Sequence, residues 1–415
     1  MNLLELFEFN INLFLINNAG LTDINSSGAN ILELLSNDPL LIKFHRKMYK
    51  KYGKVVSTYM ITKSKNYYIL DPKFSKKILN DSPTLFSAGK LKEKFFKQFM
   101  PKNVGISKCQ KNKCPWKNRR DFNENALGTR KNIYLFKCMP NIIARHITKP
   151  LLNIDDFKNV SYKIISDLIY GESGVNSIRL KTFMNNLNDK LLKSQFYKEY
   201  KNHLQKSYKT NNRCCLLYYA NMFKNDNINV IDDQIPHWFA PLFFMCHFLI
   251  PNLLCVILNY NNVLNKLNKE LSNESFNIHS KHTYLHYCVI EHIRLFSTIN
   301  INIQRTVNKN MIYEGLYFKE GEQIFILLSS ILRDEKMFDN PDNFIPERWY
   351  GKTIEQQDIV FGVGPQQCPS KRITPIFYKE IIYYLLKNYK YTSAKPILKS
   401  RELHFINPFK IKLEI

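Results

Sequence analysis

The 415-residue chain is poor in acidic groups, with 35 Asp and Glu against 60 Lys and Arg, for a formal net charge of +25. No block of Lys and Arg with interleaved aromatics accompanies that excess, so it points away from nucleic acid and towards an acidic partner or an anionic surface. There is no glycine fingerprint for a flavin or nicotinamide nucleotide, no internal repeat and no long low-complexity linker. One continuous domain without a dinucleotide of its own is therefore expected. The nine cysteines show no even pairing, and Cys109 and Cys114 are too far apart for a Cys-x-x-Cys motif. Free thiols in a reducing compartment follow from that pattern. The N-terminus lacks the basic region of a secretory signal, and Leu3 to Leu15, interrupted by Glu5 and Glu8, is too short for a spanning helix. The expectation is a soluble, cytoplasmic protein with no transmembrane helix, any peripheral membrane contact running through an amphipathic N-terminal helix.

What the chain does have is core material: 45% of residues are hydrophobic and 13% aromatic, enough for a large globular interior. Residues 40–52 read as an amphipathic helix stopped at Gly53, followed by strands over Val55–Ile61 and Tyr67–Leu70. Asp71-Pro72 turns the chain into a second helix. The run from Asp233 to about Leu258 is apolar on every side, as a helix through the middle of a domain would be, with Pro241 and Pro251 expected to kink it. Residues 151–205 read as helical, punctuated by Gly171 and Gly174.

One stretch near the C-terminus organises the rest. Phe361-Gly362-Val363-Gly364-Pro365-Gln366-Gln367-Cys368 leads into an apolar helical pattern through Ile373, Phe377, Ile381 and Leu385. A thiolate ahead of a helix is favoured by the free N–H groups there and suits a metal-ligand role. Thr374-Pro375 has the form of an N-cap and first-turn proline, which predicts a helix restarting at that point. Upstream, Glu291 and Arg294 stand three apart on an apolar helix, and Pro346-Glu347-Arg348-Trp349 supplies a second arginine.

These motifs, in this order, resemble the cytochrome P-450 superfamily. Phe361, Gly364 and Cys368 match its Phe-x-x-Gly-x-Arg-x-Cys-x-Gly loop, with Gln366 in place of Arg and Ser370 in place of Gly. Glu291-x-x-Arg294 and Pro346-Glu347-Arg348-Trp349 match its buried ion-pair triad, and Trp116-x-x-x-Arg120 its Trp-x-x-x-Arg. The resemblance runs from about residue 40 to the end, with residues 1–39 as an extension and 40–415 as a single haem domain.

It implies a mainly α fold with small β-sheets, a cytochrome P-450-like fold, and haem b (iron protoporphyrin IX) as cofactor. Cys368 would be the metal ligand, and Trp116, Arg120, Arg305, Phe361 and Gln366 the cofactor-binding residues. The family's central helix carries small-Gly-x-acid-Thr, where the small residues let it bulge. The corresponding positions here are Phe244, Met245, Cys246, His247 and Phe248, which leaves His247 as the candidate catalytic proton donor. The reading is a monooxygenase inserting one oxygen atom from O2 into a small apolar substrate. Its electrons would come from a separate acidic donor protein: a ferredoxin, flavodoxin or reductase. Two alternatives stay open: an isomerase or dehydratase acting without O2 activation, and a non-catalytic haem-binding protein whose distal side is filled by Phe243, Phe244 and Phe248.

Overall fold

The computed structural model describes residues 40–59, 65–97, 100, 102–109, 114–128, 133–171, 211–223, 231–296, 303–326, 331–399 and 406–415. The N-terminal segment, Gly174 and most of the 151–205 region lie outside them. Helix α1 (Leu40–Tyr52) ends at Gly53, whose φ of +75° and N–H bond to the Tyr49 carbonyl (2.9 Å) make it the expected stop. Strands β1 (Val55–Tyr59) and β2 (Lys65–Ile69) pair antiparallel as the sequence pattern requires. Asp71 then caps α2 (Pro72–Asn80), its side chain accepting from the Phe74 N–H at 2.6 Å, and also receives the Tyr49 hydroxyl at 2.9 Å.

β3 (Phe86–Ala88) leads directly into α3 (Lys90–Lys97). Helices α4 (Pro115–Gly128), α5 (Ile133–His146), α6 (Ile154–Tyr170) and α7 (Leu216–Met222) follow. The central helix is α8 (Ile231–Phe244), a π-turn at Met245–Leu249, and α9 (Ile250–Asn259). After α10 (Asn261–Leu271) and α11 (Tyr284–Phe296) come β4 (Ile303–Val307), β5 (Met311–Tyr313), β6 (Leu316–Phe318) and β7 (Gln323–Ile326). The chain ends with α12 (Ile354–Gln357), α13 (Ile373–Asn388), β8 (Ser393–Lys395) and β9 (Lys412–Glu414).

The main sheet runs β1-β2-β7-β4-β3, with β2 and β7 the parallel pair. The architecture is thus mostly helical with small sheets. One apolar cluster reaches from Tyr67 in β2 to Leu413 in β9, with the central helix at its middle. Among the described residues, Gln234–Asn259 alone is long and apolar enough to cross a membrane. Its most apolar stretch is 94% buried inside the protein, so its hydrophobicity is spent on the core.

Two expectations need correction. Helical bonding continues through Pro236 and Pro241 as far as Phe244; the irregularity comes at Met245–Leu249, just ahead of Pro251. Pro251 has no N–H, and its ring would collide with the carbonyl four residues back. The turn widens instead, and the Ile250 N–H reaches the Met245 carbonyl five residues away. The cysteines also depart from the free-thiol reading. Cys109 bonds Cys114, and Cys138 bonds Cys214 across 76 residues of sequence, leaving Cys215, Cys246, Cys255, Cys288 and Cys368 free. The second pair arises because α5 and the start of α7 meet in space, which spacing along the chain does not reveal.

Candidate functional site: a cysteine loop braced by a buried ion-pair network

Cys368 sits at the end of a loop folded back on itself. Its N–H donates to the Phe361 carbonyl at 2.9 Å, while the Gln367 amide donates to the carbonyls of Asp358 (2.9 Å) and Gly362 (2.7 Å). Gly362 and Gly364 supply the positive φ values, +87° and +78°, that the reversal needs. The loop lies against α4, where a Cβ on Gly128 would come within 3.3 Å of the Arg372 side chain.

The thiol has a hydroxyl beside it. Cys368 Sγ is 3.1 Å from Ser370 Oγ, and the Thr374 hydroxyl donates to that same Ser370 oxygen at 3.0 Å. With Thr374 donating to Ser370, the Ser370 proton is free to turn to the sulfur whenever the sulfur is a thiolate. Thr374 is therefore not the N-cap anticipated from sequence. Helix α13 starts at Ile373 with Arg372 preceding it, and Thr374 lies in the first turn with its hydroxyl turned back to the loop. The spacing of Ser370 and Thr374, one helical turn, was the signal for this contact.

The bracing network matches the sequence expectation. Arg294 donates to both oxygens of Glu291, at 2.9 and 2.8 Å, and both side chains are fully buried. Arg348 adds a bond to Glu291 at 2.9 Å, the Trp349 indole another at 3.0 Å, and the Ile345 N–H a third at 3.0 Å. Arg294 gives its remaining N–H groups to the carbonyls of Leu332, Pro341 and Asn343, so its charge is bonded on every side. The Phe338 ring lies near both guanidinium groups, 4.9 Å from that of Arg294 and 5.9 Å from that of Arg348.

The other sequence-selected residues fall into different situations. Arg120 is buried, but its charge is met on its own helix by Glu124 (2.7 and 2.5 Å), while Trp116 is half-buried on the turn before it. Arg305, in β4, is buried; its side chain donates to Ser82 Oγ (3.1 Å) and the Gln304 carbonyl (2.8 Å), and burial pushes its pKa down to about 10. Gln366 has a buried Oε1 with no hydrogen-bond partner. Around the loop's outer side, Lys281, Lys371 and Arg372 gather about Asp358 at 3.3 to 3.9 Å.

His247 lies in the π-turn, packed against the rings of Phe243 (4.2 Å between centres) and Phe248 (4.0 Å). Its Nδ1 meets the Phe243 carbonyl, so Nδ1 carries the proton and Nε2 is left as an acceptor. Burial pushes its pKa down to about 3, against a small opposing effect of that hydrogen bond. At neutral pH this leaves the ring uncharged, with its one proton turned to its own helix.

Sequence reasoning missed how Gln234 and Trp238 are used. The Gln234 side chain bonds the Val104 N–H, the Lys102 carbonyl and Asn123, and the Trp238 indole donates to Asn123 at 2.6 Å. Together they pin the start of the central helix to α4 and to the segment before it.

The site is thus a cysteine loop closed by glycines and braced by a Glu-Arg-Arg network in a mainly helical protein. Residues 252–412 of the 415 match the cytochrome P450 family model. Similarity to individual members is low. The chain is 28% identical over 128 residues to a probable cytochrome P450 514A2 of Dictyostelium discoideum (30% of this chain, 26% of that protein). It is 29% identical over 104 residues to a mitochondrial cholesterol side-chain cleavage enzyme of Hypanus americanus (25% and 20%). With cytochrome P450 3A15 of Cavia porcellus it shares 30% over 137 residues (31% and 27%). The alignments thus span about a quarter of each relative's length.

Proposed function

We propose that the protein is a haem-thiolate monooxygenase, and the observation that carries this is Cys368 held in a closed loop over the buried Glu291–Arg294–Arg348 network. The residues present fit an iron protoporphyrin. Arg305 is a buried cation with no carboxylate partner among the described residues, and Gln366 Oε1 is buried without a bond; a group bringing carboxylates and polar edges would satisfy them. Cys368 would ligate the iron, Arg305 would meet a propionate, and Phe361, Gln366, Trp116 and Arg120 would border the ring. When bound, a thiolate-ligated haem supplies oxygen activation and transfer of one oxygen atom to an apolar C–H bond.

The protein's own contribution is to fix and tune. The loop's carbonyl and N–H bonds hold the sulfur in place, and the Ser370 hydroxyl withdraws electron density from it. Phe243, Phe244 and Phe248 give the central helix an apolar face that excludes water and suits an apolar substrate. The π-turn provides a bulge where relatives use small residues, so local backbone room is retained through Pro251. Lys281, Lys371 and Arg372 on the outer side of the cysteine loop form a cationic patch for an acidic electron donor.

The deciding experiment is the reduced, CO-bound absorption spectrum of the haem-loaded protein. A strongly red-shifted Soret band that disappears in Cys368→Ser is the expected result. Haem bound without that band would point to the non-catalytic reading, in which the phenylalanines fill the distal side. Turnover of hydroperoxides without electrons, and no oxygenated product with any surrogate reductase, would instead favour the isomerase or dehydratase.

A further inference from the structure

Besides Arg305, a second cation, the half-buried Lys92, lies near Cys368 with no acidic partner among the described residues. Ala88 of β3 pairs in register with Arg305 of β4, and β3 runs straight into α3, which places Lys92 one turn beyond that pairing. Arg305 is close enough to disfavour the Lys92 charge, and Cys368 is close enough to counteract that effect. Burial, aided by Arg305, lowers the Lys92 pKa to about 8. The adjacent Glu93 does not relieve this, because its carboxylate is turned to Lys97 (3.7 Å) and Lys108 (3.3 Å). The Phe96 ring lies 5.8 Å from the Lys92 ammonium, measured to its centre.

Two further details mark this place as built for a ligand. A Cβ on Gly105 would stand 3.0 Å from Lys92 Cε and 3.3 Å from Nζ, so the bare backbone there makes the room that the ammonium occupies. The His237 ring lies 5.0 Å from the Phe96 ring, near enough to Lys92 to feel its charge, with its Nδ1 buried and unbonded. Two like charges and an unsatisfied ring nitrogen in one partly buried region are costly unless an anion completes them.

We infer that Lys92 and Arg305 form a carboxylate-binding pair beside Cys368, with the His237 ring as a third contact, and that this pair holds a haem propionate. Lys92 thereby takes over the cationic role for which relatives use an arginine two residues before the cysteine, the position of Gln366. This assignment rests on the haem reading above and adds a residue that no motif marks.

The test is titration of the apoprotein with haem and with haem dimethyl ester, which lacks both carboxylates. The unaltered protein should prefer haem. Lys92→Met should weaken haem binding by about tenfold or more while leaving the ester unaffected, and Lys92→Arg should restore most of the preference. Unchanged ester binding shows that the variant is folded. Gly105→Ala, which pushes on the ammonium, should reduce the preference in the same direction. A Lys92→Met protein that keeps the full preference for haem overturns the assignment and leaves the haem-thiolate reading standing. A protein that binds neither compound overturns both.

Discussion

The α-carbon of Gly364 faces the end of α2 so closely that a Cβ placed there would lie 2.3 Å from the carbonyl oxygen of Leu79. Leu79 belongs to the N-terminal half of the chain and Gly364 to the cysteine loop, so this contact seats the loop on the rest of the protein. Gly362 has a similar positive φ but open space around it. Gly362→Ala should therefore cost about 1–3 kcal/mol from backbone strain. Gly364→Ala must add displacement of backbone to the same strain. Urea unfolding of the two variants checks the order; equal losses would contradict the close approach.

Removing the carboxylate of the buried network should be severe. Glu291→Ala leaves Arg294 fully buried with no counter-charge, and orphans the Trp349 indole and one bond of Arg348. A loss of about 3–5 kcal/mol is expected. Glu291→Gln should recover only part of it, since an amide can satisfy the geometry but not the charge. The measurement is denaturant unfolding together with the yield of folded protein.

Ser370 offers a milder, electronic test. In the haem-loaded protein, Ser370→Ala removes the hydroxyl 3.1 Å from the sulfur, so the thiolate becomes a stronger donor and the reduction potential moves to more negative values. Thr374→Val, which frees the Ser370 hydroxyl to turn, should shift it the same way by less. Spectroelectrochemical titration reads both. A potential unmoved by Ser370→Ala would mean that the hydroxyl does not donate to the sulfur.

Acid should destabilise the fold from just below neutrality. Burial pushes His247, His286 and His292 down to about 3, whereas the unfolded chain titrates them near 6.5. Between those values the unfolded state binds more protons, so stability falls as pH falls from about 6.5 towards 3, by up to about 1.4 kcal/mol per pH unit for each histidine. His292 accepts a second constraint, lying between the Asn252 side chain (3.1 Å) and the Tyr378 hydroxyl (2.9 Å). Replacing His247 by Phe should flatten the slope of unfolding free energy against pH by about one proton. An unchanged slope would mean that the ring is protonated in the folded protein.

The sequence by itself determined whatever rests on local spacing and chemical type. The helix ending at Gly53, the strand pair before Asp71, the cysteine loop and the Glu291–Arg294–Arg348 network were all legible. Each depends on residues a turn apart, or on a motif whose members keep their order. The tertiary structure decided what depends on distant segments meeting. The Cys138–Cys214 bond joins parts of the chain 76 residues apart, and the Gly364–Leu79 approach joins opposite ends of the fold. Lys92 carries no motif at all; in sequence it is one of many lysines, and only its place beside Arg305, with no acidic partner among the described residues, distinguishes it. The π-turn was hidden for a related reason. A proline announces that a helix must yield, but whether it kinks or widens is settled by the packing around Met245–Leu249, where every side chain is buried.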